Sequence, residues 1–318
     1  MRVIARILLL LMLLTAGSFA AQKYQVLIYK DPGYQGDWAP EAGDGQDQQV
    51  EEVSGTAVPY WHEGAVYTWV KLNLSSGANE IWVYYGSATA PDESNGAAVF
   101  EFFDDFSVDR GYPNIGSGTG EYSVSDGTLC MRELSTGGIA GYDYALKIGD
   151  FPLSEYPLGS LQVEAKLRVA QQGELHALLF RSAVSWPYNA YKVYGTQPSD
   201  PPTGLHLADV TYTGSGDWEV VRAVLDDFTE GSFVAIAIDD DQTTGAEHCL
   251  DWIRIRKYAS PPSVSYGPEE SGIWAVDNHV FTSRRRVIVN SSGNLAEYQV
   301  RLDYSHWGEP NIRVVRQE

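Results

Sequence analysis

Apolar and polar residues alternate with a period of two in short stretches, and almost nothing after the first twenty residues repeats every 3.6 residues. Val66-Tyr67-Thr68-Trp69-Val70-Lys71-Leu72, Leu161 to Val169 and Val220 to Leu225 read as strands with one buried face. Ala177 to Phe180 and Phe233 to Ile238 are continuously apolar, the pattern of strands covered on both faces. Gly, Pro, Asn and Asp cut the chain between these runs, and many short strands at regular spacing predict an all-β protein. The expected architecture is two β-sandwich (jelly-roll-like) units plus a C-terminal pair of strands.

The start follows a different pattern. Arg2 and Arg6 precede an apolar run from Ile7 to Leu14 and then Ser18-Phe19-Ala20, which reads as a secretory signal peptide spanning 1–20. No later stretch approaches the roughly 20 apolar residues of a membrane span, so the expected location is secreted, extracellular or cell-surface. Composition shifts place a first unit at 21–100 and a middle unit at 101–258. Ala259-Ser260-Pro261-Pro262-Ser263 and Gly267-Pro268-Glu269-Glu270 read as a linker over 259–272, followed by a tail at 273–318 too small for a core of its own.

Charge narrows the choice of partner. With 42 acidic and 22 basic residues the chain carries a formal charge of -20, a field that repels nucleic-acid backbones and anionic membranes. Twenty Tyr, nine Trp and ten Phe point instead to β-structure and aromatic surfaces.

Pro59-Tyr60-Trp61-His62-Glu63, Trp69-Val70-Lys71, Ile81-Trp82-Val83-Tyr84-Tyr85-Gly86 and Phe100 through Phe106 resemble domain-of-unknown-function family 2341 over roughly residues 21–105. The resemblance implies an extracellular β-rich domain whose opening strand is missing at this end. The middle unit resembles a laminin-G or concanavalin-like sandwich through Ser125-Asp126-Gly127-Thr128-Leu129, Leu178 to Ser182, Tyr191-Lys192-Val193, Gly216-Asp217-Trp218 and Leu250 to Ile255. The tail resembles a partial second copy of the first unit: Ala296 to Leu302 matches Gln22 to Ile28, and Arg285 to Asn290 resembles the family's opening strand.

Catalysis finds little support. Sandwich glycosidases place paired carboxylates on either side of the scissile bond, but Glu164 is the only acid in its strand, with Gln162, Lys166 and Arg168 as its period-2 neighbours. No Gly-x-Ser-x-Gly or His-Glu-x-x-His motif is present. The aromatic signal is stronger. Trp186, Tyr188, Asn189 and Tyr191 group at a strand-loop-strand connection, where rings stack on sugars and an amide bonds hydroxyls; the competing reading is packing at the sandwich end. Trp218 and Trp252 read as core.

Asp104, Asp105 and Asp251 are candidate ligands for a structural calcium where the first and last strands of the middle unit adjoin, against a reading as plain solvated or capping aspartates. Cys130 and Cys249 invite a disulfide in a secreted chain, yet strand parity sets Cys130 outward and Cys249 with inward-facing Ile253 and Ile255. A turn before Asp251 would reset that parity, so the bridge stays open.

The expected function is a secreted, non-enzymatic surface protein whose middle unit binds a glycan or cell-surface protein. Alternatives are a structural subunit of a filament or coat and, third, a secreted glycoside hydrolase. Three readings of the tail compete: a second domain cut short, a tail folded back on its own head, and a tail that fills the head of the next molecule through residues 285–303.

Overall fold

The structure, a computed structural model, describes residues 51–52, 55–63, 67–87, 90–134, 144–169, 175–184, 189–195, 204–207, 216–239, 247–259, 261–276, 279–303 and 312–316. The head carries β1 (Glu51–Glu52), β2 (Thr56–Ala57), β3 (Tyr60–Glu63), β4 (Tyr67–Leu74) and β5 (Gly77–Tyr85). One helical turn, α1 (Gly96–Val99), leads into the middle unit. That unit holds β6 (Phe102–Asp104), β7 (Gly120–Ser125), β8 (Thr128–Glu133), β9 (Tyr144–Asp150), β10 (Leu161–Val169) and β11 (Leu175–Arg181). It continues through β12 (Asn189–Gly195), β13 (Gly204–Leu207), β14 (Glu219–Val224), β15 (Phe233–Asp239) and β16 (Glu247–Lys257). The tail supplies β17 (Ser263–Val276), β18 (His279–Ser291), β19 (Leu295–Asp303) and β20 (Arg313–Arg316). Among the described residues no helix is long and apolar enough to cross a membrane.

The middle unit is a sandwich. One sheet runs β14-β10-β16-β8-β7 with β6 also on β16, and the other runs β13-β12-β11-β15-β9. Alternation in β10 turns Leu161, Val163, Ala165, Leu167 and Val169 into the shared core and Gln162, Glu164, Lys166 and Arg168 outward. The continuously apolar β11 and β15 are central strands: Leu178 and Ile236 face the main core, while Ala177, Leu179 and Ala237 meet Ile115 on the other side.

Head and tail form the second sandwich together. Its larger sheet runs β1-β17-β18-β5-β20-β2, its smaller one β19-β4-β3, so β5 lies between two tail strands and β4 has β19 along one edge. Val70, Leu72, Ile81 and Val83 from the head share a single core with Val287, Val289, Val300, Leu302 and Val314 from the tail. The tail therefore gives four strands where two were expected, and it folds back on its own head. Residues 285–303, the expected self-association segment, are paired within their own chain. The expected linker is also shorter: Gly267-Pro268-Glu269-Glu270 lies inside β17, with a register irregularity between Tyr266 and Glu269 accommodating a proline that has no N–H to give.

Cys130 and Cys249 are directly opposed on β8 and β16 and form a disulfide. Parity misled because Asp251 is skipped in the β10–β16 register, where Lys166 faces Trp252 and Leu167 faces Leu250. That irregularity turns Leu250 inward with Leu129 and sends Cys249 to the outer face, where Cys130 already points. The bridge closes a sequence separation of 119 residues. Replacing both cysteines by alanine is expected to cost about 2–5 kcal/mol in urea unfolding; an unchanged midpoint would contradict this.

Candidate functional site

The two sandwiches meet sheet to sheet. The outer face of β3-β4-β19 presents Trp61, Glu63, Trp69, Gln299 and Arg301, and the outer face of β14-β10-β16 presents Arg222, Gln162, Glu164, Trp252, Arg254 and Arg256. Register sets the second group: Glu164 on β10 faces Arg222 on β14 and Arg254 on β16, and Gln162 faces Arg256. Cross-strand neighbours on one face are in direct reach, so the alternation that buries the β10 core also lines up these charges.

Glu164, although it points away from its own core, is only 2% exposed because the other sandwich covers it. Its carboxylate takes the Arg254 guanidinium at 2.5 Å, Arg256 Nε at 3.3 Å and Arg222 Nε at 3.5 Å. Burial pushes its pKa up, but Arg254, Arg256 and Arg222 outweigh that and hold it below the usual carboxylate range. Arg254, fully buried, also reaches Glu63 at 3.1 Å. Its guanidinium carbon lies 4.3 Å from the Trp252 ring centroid, 4.5 Å from Trp69 and 5.2 Å from Phe100. Glu63 accepts the Trp69 indole N–H at 2.6 Å, and Trp61, Phe100 and Phe103 close the cluster. Gln299 ties the units further, accepting Lys257 N–H and donating to the Val99 carbonyl.

Beside this clamp the interface opens into a cleft of about 570 Å³. One wall is polar, with Gln162, Glu164, Arg222 and Arg256; the facing wall carries Trp69, Gln299 and Arg301; Pro261, Pro262, Val264 and Tyr298 supply an apolar side. Arg256 donates to the Gln162 side-chain oxygen.

The residues expected to matter from sequence fall elsewhere. Trp186 and Tyr188 lie outside the described residues; Asn189 and Tyr191 begin β12, in the sheet facing away from this junction, and their side chains are outside what is described. The first and last strands of the middle unit do adjoin, with Asp104 opposite Ile253. Asp104 is buried and accepts Phe106 N–H and the Tyr112 hydroxyl, Asp105 accepts from Ser107, and Asp251 pairs with Lys166. Burial pushes the Asp104 pKa up. The three aspartates do not form a shared set of ligand atoms; among the described residues the one such group is Cys130, Glu247 and Cys249, whose sulfurs are joined to each other.

Trp218, expected in the core, is 38% exposed, with Lys166 and Arg168 over its ring. Trp252 is buried, but on the outer face of β16 against the Arg254 guanidinium and not in the sandwich core. The strongest chemistry was missed because Trp252, Arg254 and Arg256 alternate with inward Ile253 and Ile255. An arginine-rich outward row on a strand so apolar on its inner face was the available signal.

Residues 44–111 match the family described as Domain of unknown function (DUF2341). No curated protein matches the chain. Among solved structures, one described as "BiXyn10A CBM1 APO" is 10% identical, covering 50% of this chain and 99% of its own, with a TM-score of 0.32. A mutant of CBM29-2, a family 29 carbohydrate-binding module, is 17% identical over 49% of this chain and 88% of its own, TM-score 0.28. A third, described as "CBM4 structure and function", is 14% identical over 56% and 94%, TM-score 0.28. Trp61, Glu63 and Trp69 of the junction lie within the residues that match DUF2341.

Proposed function

We propose that this is an exported, non-enzymatic, glycan-binding protein whose ligand sits in the cleft between the sandwiches. The observation that carries the reading is the lining of that cleft: guanidinium, amide and carboxylate groups on two walls and Pro261, Pro262, Val264 and Tyr298 on a third. A saccharide ring has the same division, hydroxyls around its edge and C–H groups on its faces. The acid in the cleft favours binding over hydrolysis, because Glu164 sits among three guanidiniums that keep it ionised and make it a poor proton donor.

Glycan-array screening of the intact protein, followed by calorimetry on the best hits, tests the reading. Arg256→Ala and Gln162→Ala are expected to weaken binding by about 1–3 kcal/mol each, the scale of central contacts in a binding site. If Trp186→Ala or Tyr188→Ala weakens binding and the cleft variants do not, the ligand site is the aromatic loop. Absence of any saccharide ligand would sink the proposal.

A further inference from the structure

The cleft is positive in a protein that is strongly negative. Arg222, Arg256 and Arg301 line it against the single carboxylate of Glu164, while the chain as a whole carries a formal charge of -20. Arg256 is spent on Glu164, Gln162 and the Lys257 carbonyl. Arg222 and Arg301 differ. Arg222 approaches Glu164 only through Nε, at 3.5 Å, and its side chain is 48% exposed. Arg301 lies with its guanidinium carbon 4.3 Å from the Tyr67 ring centroid and is exposed. Neither guanidinium places its two terminal nitrogens on a protein acceptor among the described residues.

These two groups come from different sandwiches, Arg222 from β14 and Arg301 from β19, and they stand on facing walls of the same cleft. Arg222 meets Glu164 through Nε and Arg301 lies over the Tyr67 ring, and the terminal N–H donors of both are left for a ligand. The planar guanidinium fork matches a carboxylate in two parallel hydrogen bonds. A neutral sugar offers these forks only single, uncharged hydroxyl acceptors.

Resting on the glycan reading above, we propose that the cleft selects saccharides bearing carboxylates, that is uronate-containing glycans, with Arg222 and Arg301 as the residues that set this selectivity. The negative field of the remaining surface makes the selectivity local: an acidic chain is repelled elsewhere and held only where the guanidiniums are concentrated.

The test uses the full chain in calorimetric titrations at 0.15 M salt. The probes are oligosaccharides of galacturonate, alginate and hyaluronan, their carboxyl-reduced neutral counterparts, and dextran sulfate. At least one acidic oligosaccharide is expected to bind about tenfold or more tighter than its reduced form, the scale of one charge-assisted bidentate contact. Arg222→Gln and Arg301→Gln should each shrink that ratio toward one with an unchanged melting temperature. Arg222→Lys should recover only part of it, since the charge returns without the fork. Equal binding of acidic and reduced forms overturns the inference and leaves the glycan reading standing. Binding of none of the saccharides, neutral or acidic, removes both. Dextran sulfate bound as tightly as the best uronate overturns carboxylate selectivity in favour of a general polyanion site.

Discussion

Deletion of residues 281–318 is expected to leave the head unable to fold while the middle sandwich survives. The segment removes Val287, Val289, Tyr298, Val300, Leu302, Ile312 and Val314 from the shared core. At about 1.5–3 kcal/mol for each buried side chain, the loss is roughly 10–20 kcal/mol, as large as or larger than the ~5–15 kcal/mol by which a domain is stable. It also strips β4 of β19 and β5 of both neighbours. Scanning calorimetry of the truncated chain should show the transition of the middle unit alone, and a peptide spanning 279–316 should restore the missing one. A truncated monomer that keeps a full head transition would show that β18 to β20 are additions to the head and not parts of it.

Arg254→Met is expected to destabilise the protein by about 3–5 kcal/mol in denaturant unfolding, the usual cost of removing one partner from a buried ion pair. The substitution leaves Glu164 buried with only Arg256 and the half-exposed Arg222, and it takes a guanidinium from between Trp69 and Trp252. Adding Glu164→Gln should recover part of the loss, because an apolar or neutral pair avoids an uncompensated charge. The acid limb offers a second readout. The folded pKa of Glu164 is lowered, so its contribution is fully present above the unfolded value of about 4.3 and is lost as pH falls through the folded one. Glu164→Gln should flatten stability against pH in that window. Asp104 works in the opposite sense: its raised pKa makes a contribution that is present at low pH and is lost as pH rises through the folded value. A single Arg254→Met cost below about 1 kcal/mol would show that the clamp is replaceable by packing.

Local pattern carried the reading as far as one strand's own faces. The alternation of β10 names its core side correctly, and the doubly apolar β11 and β15 announce a central position, because both depend on a period of two within a few residues. What failed depended on residues far apart in the chain. One skipped residue at Asp251 reversed the parity on which the disulfide was judged. Glu164 looked like an ordinary outward acid since nothing near it in sequence says that a second sandwich, built from residues on both sides of the middle unit, covers that face. That the tail carries strands able to complete a sheet was legible, but the owner of that sheet was not: pairing within one chain and pairing between two chains need the same edge.

The middle unit begins and ends at one place, with Phe102 of β6 opposite Ile255 of β16, so it can close as soon as residue 257 has been made. The head cannot. β4 and β5 are complete by residue 85, yet the first strand that covers β5 begins at residue 279. At about 5–20 residues per second the intervening stretch takes on the order of 10–40 s to synthesise. Throughout that interval Trp69-Val70-Lys71-Leu72 and Ile81-Trp82-Val83-Tyr84-Tyr85 are nascent strands with open edges, the condition in which chains pair with the wrong neighbour. The strands from residue 279 onward are thus the ones that end the hazard, and chaperone demand during biosynthesis should track the length of whatever is inserted between head and tail.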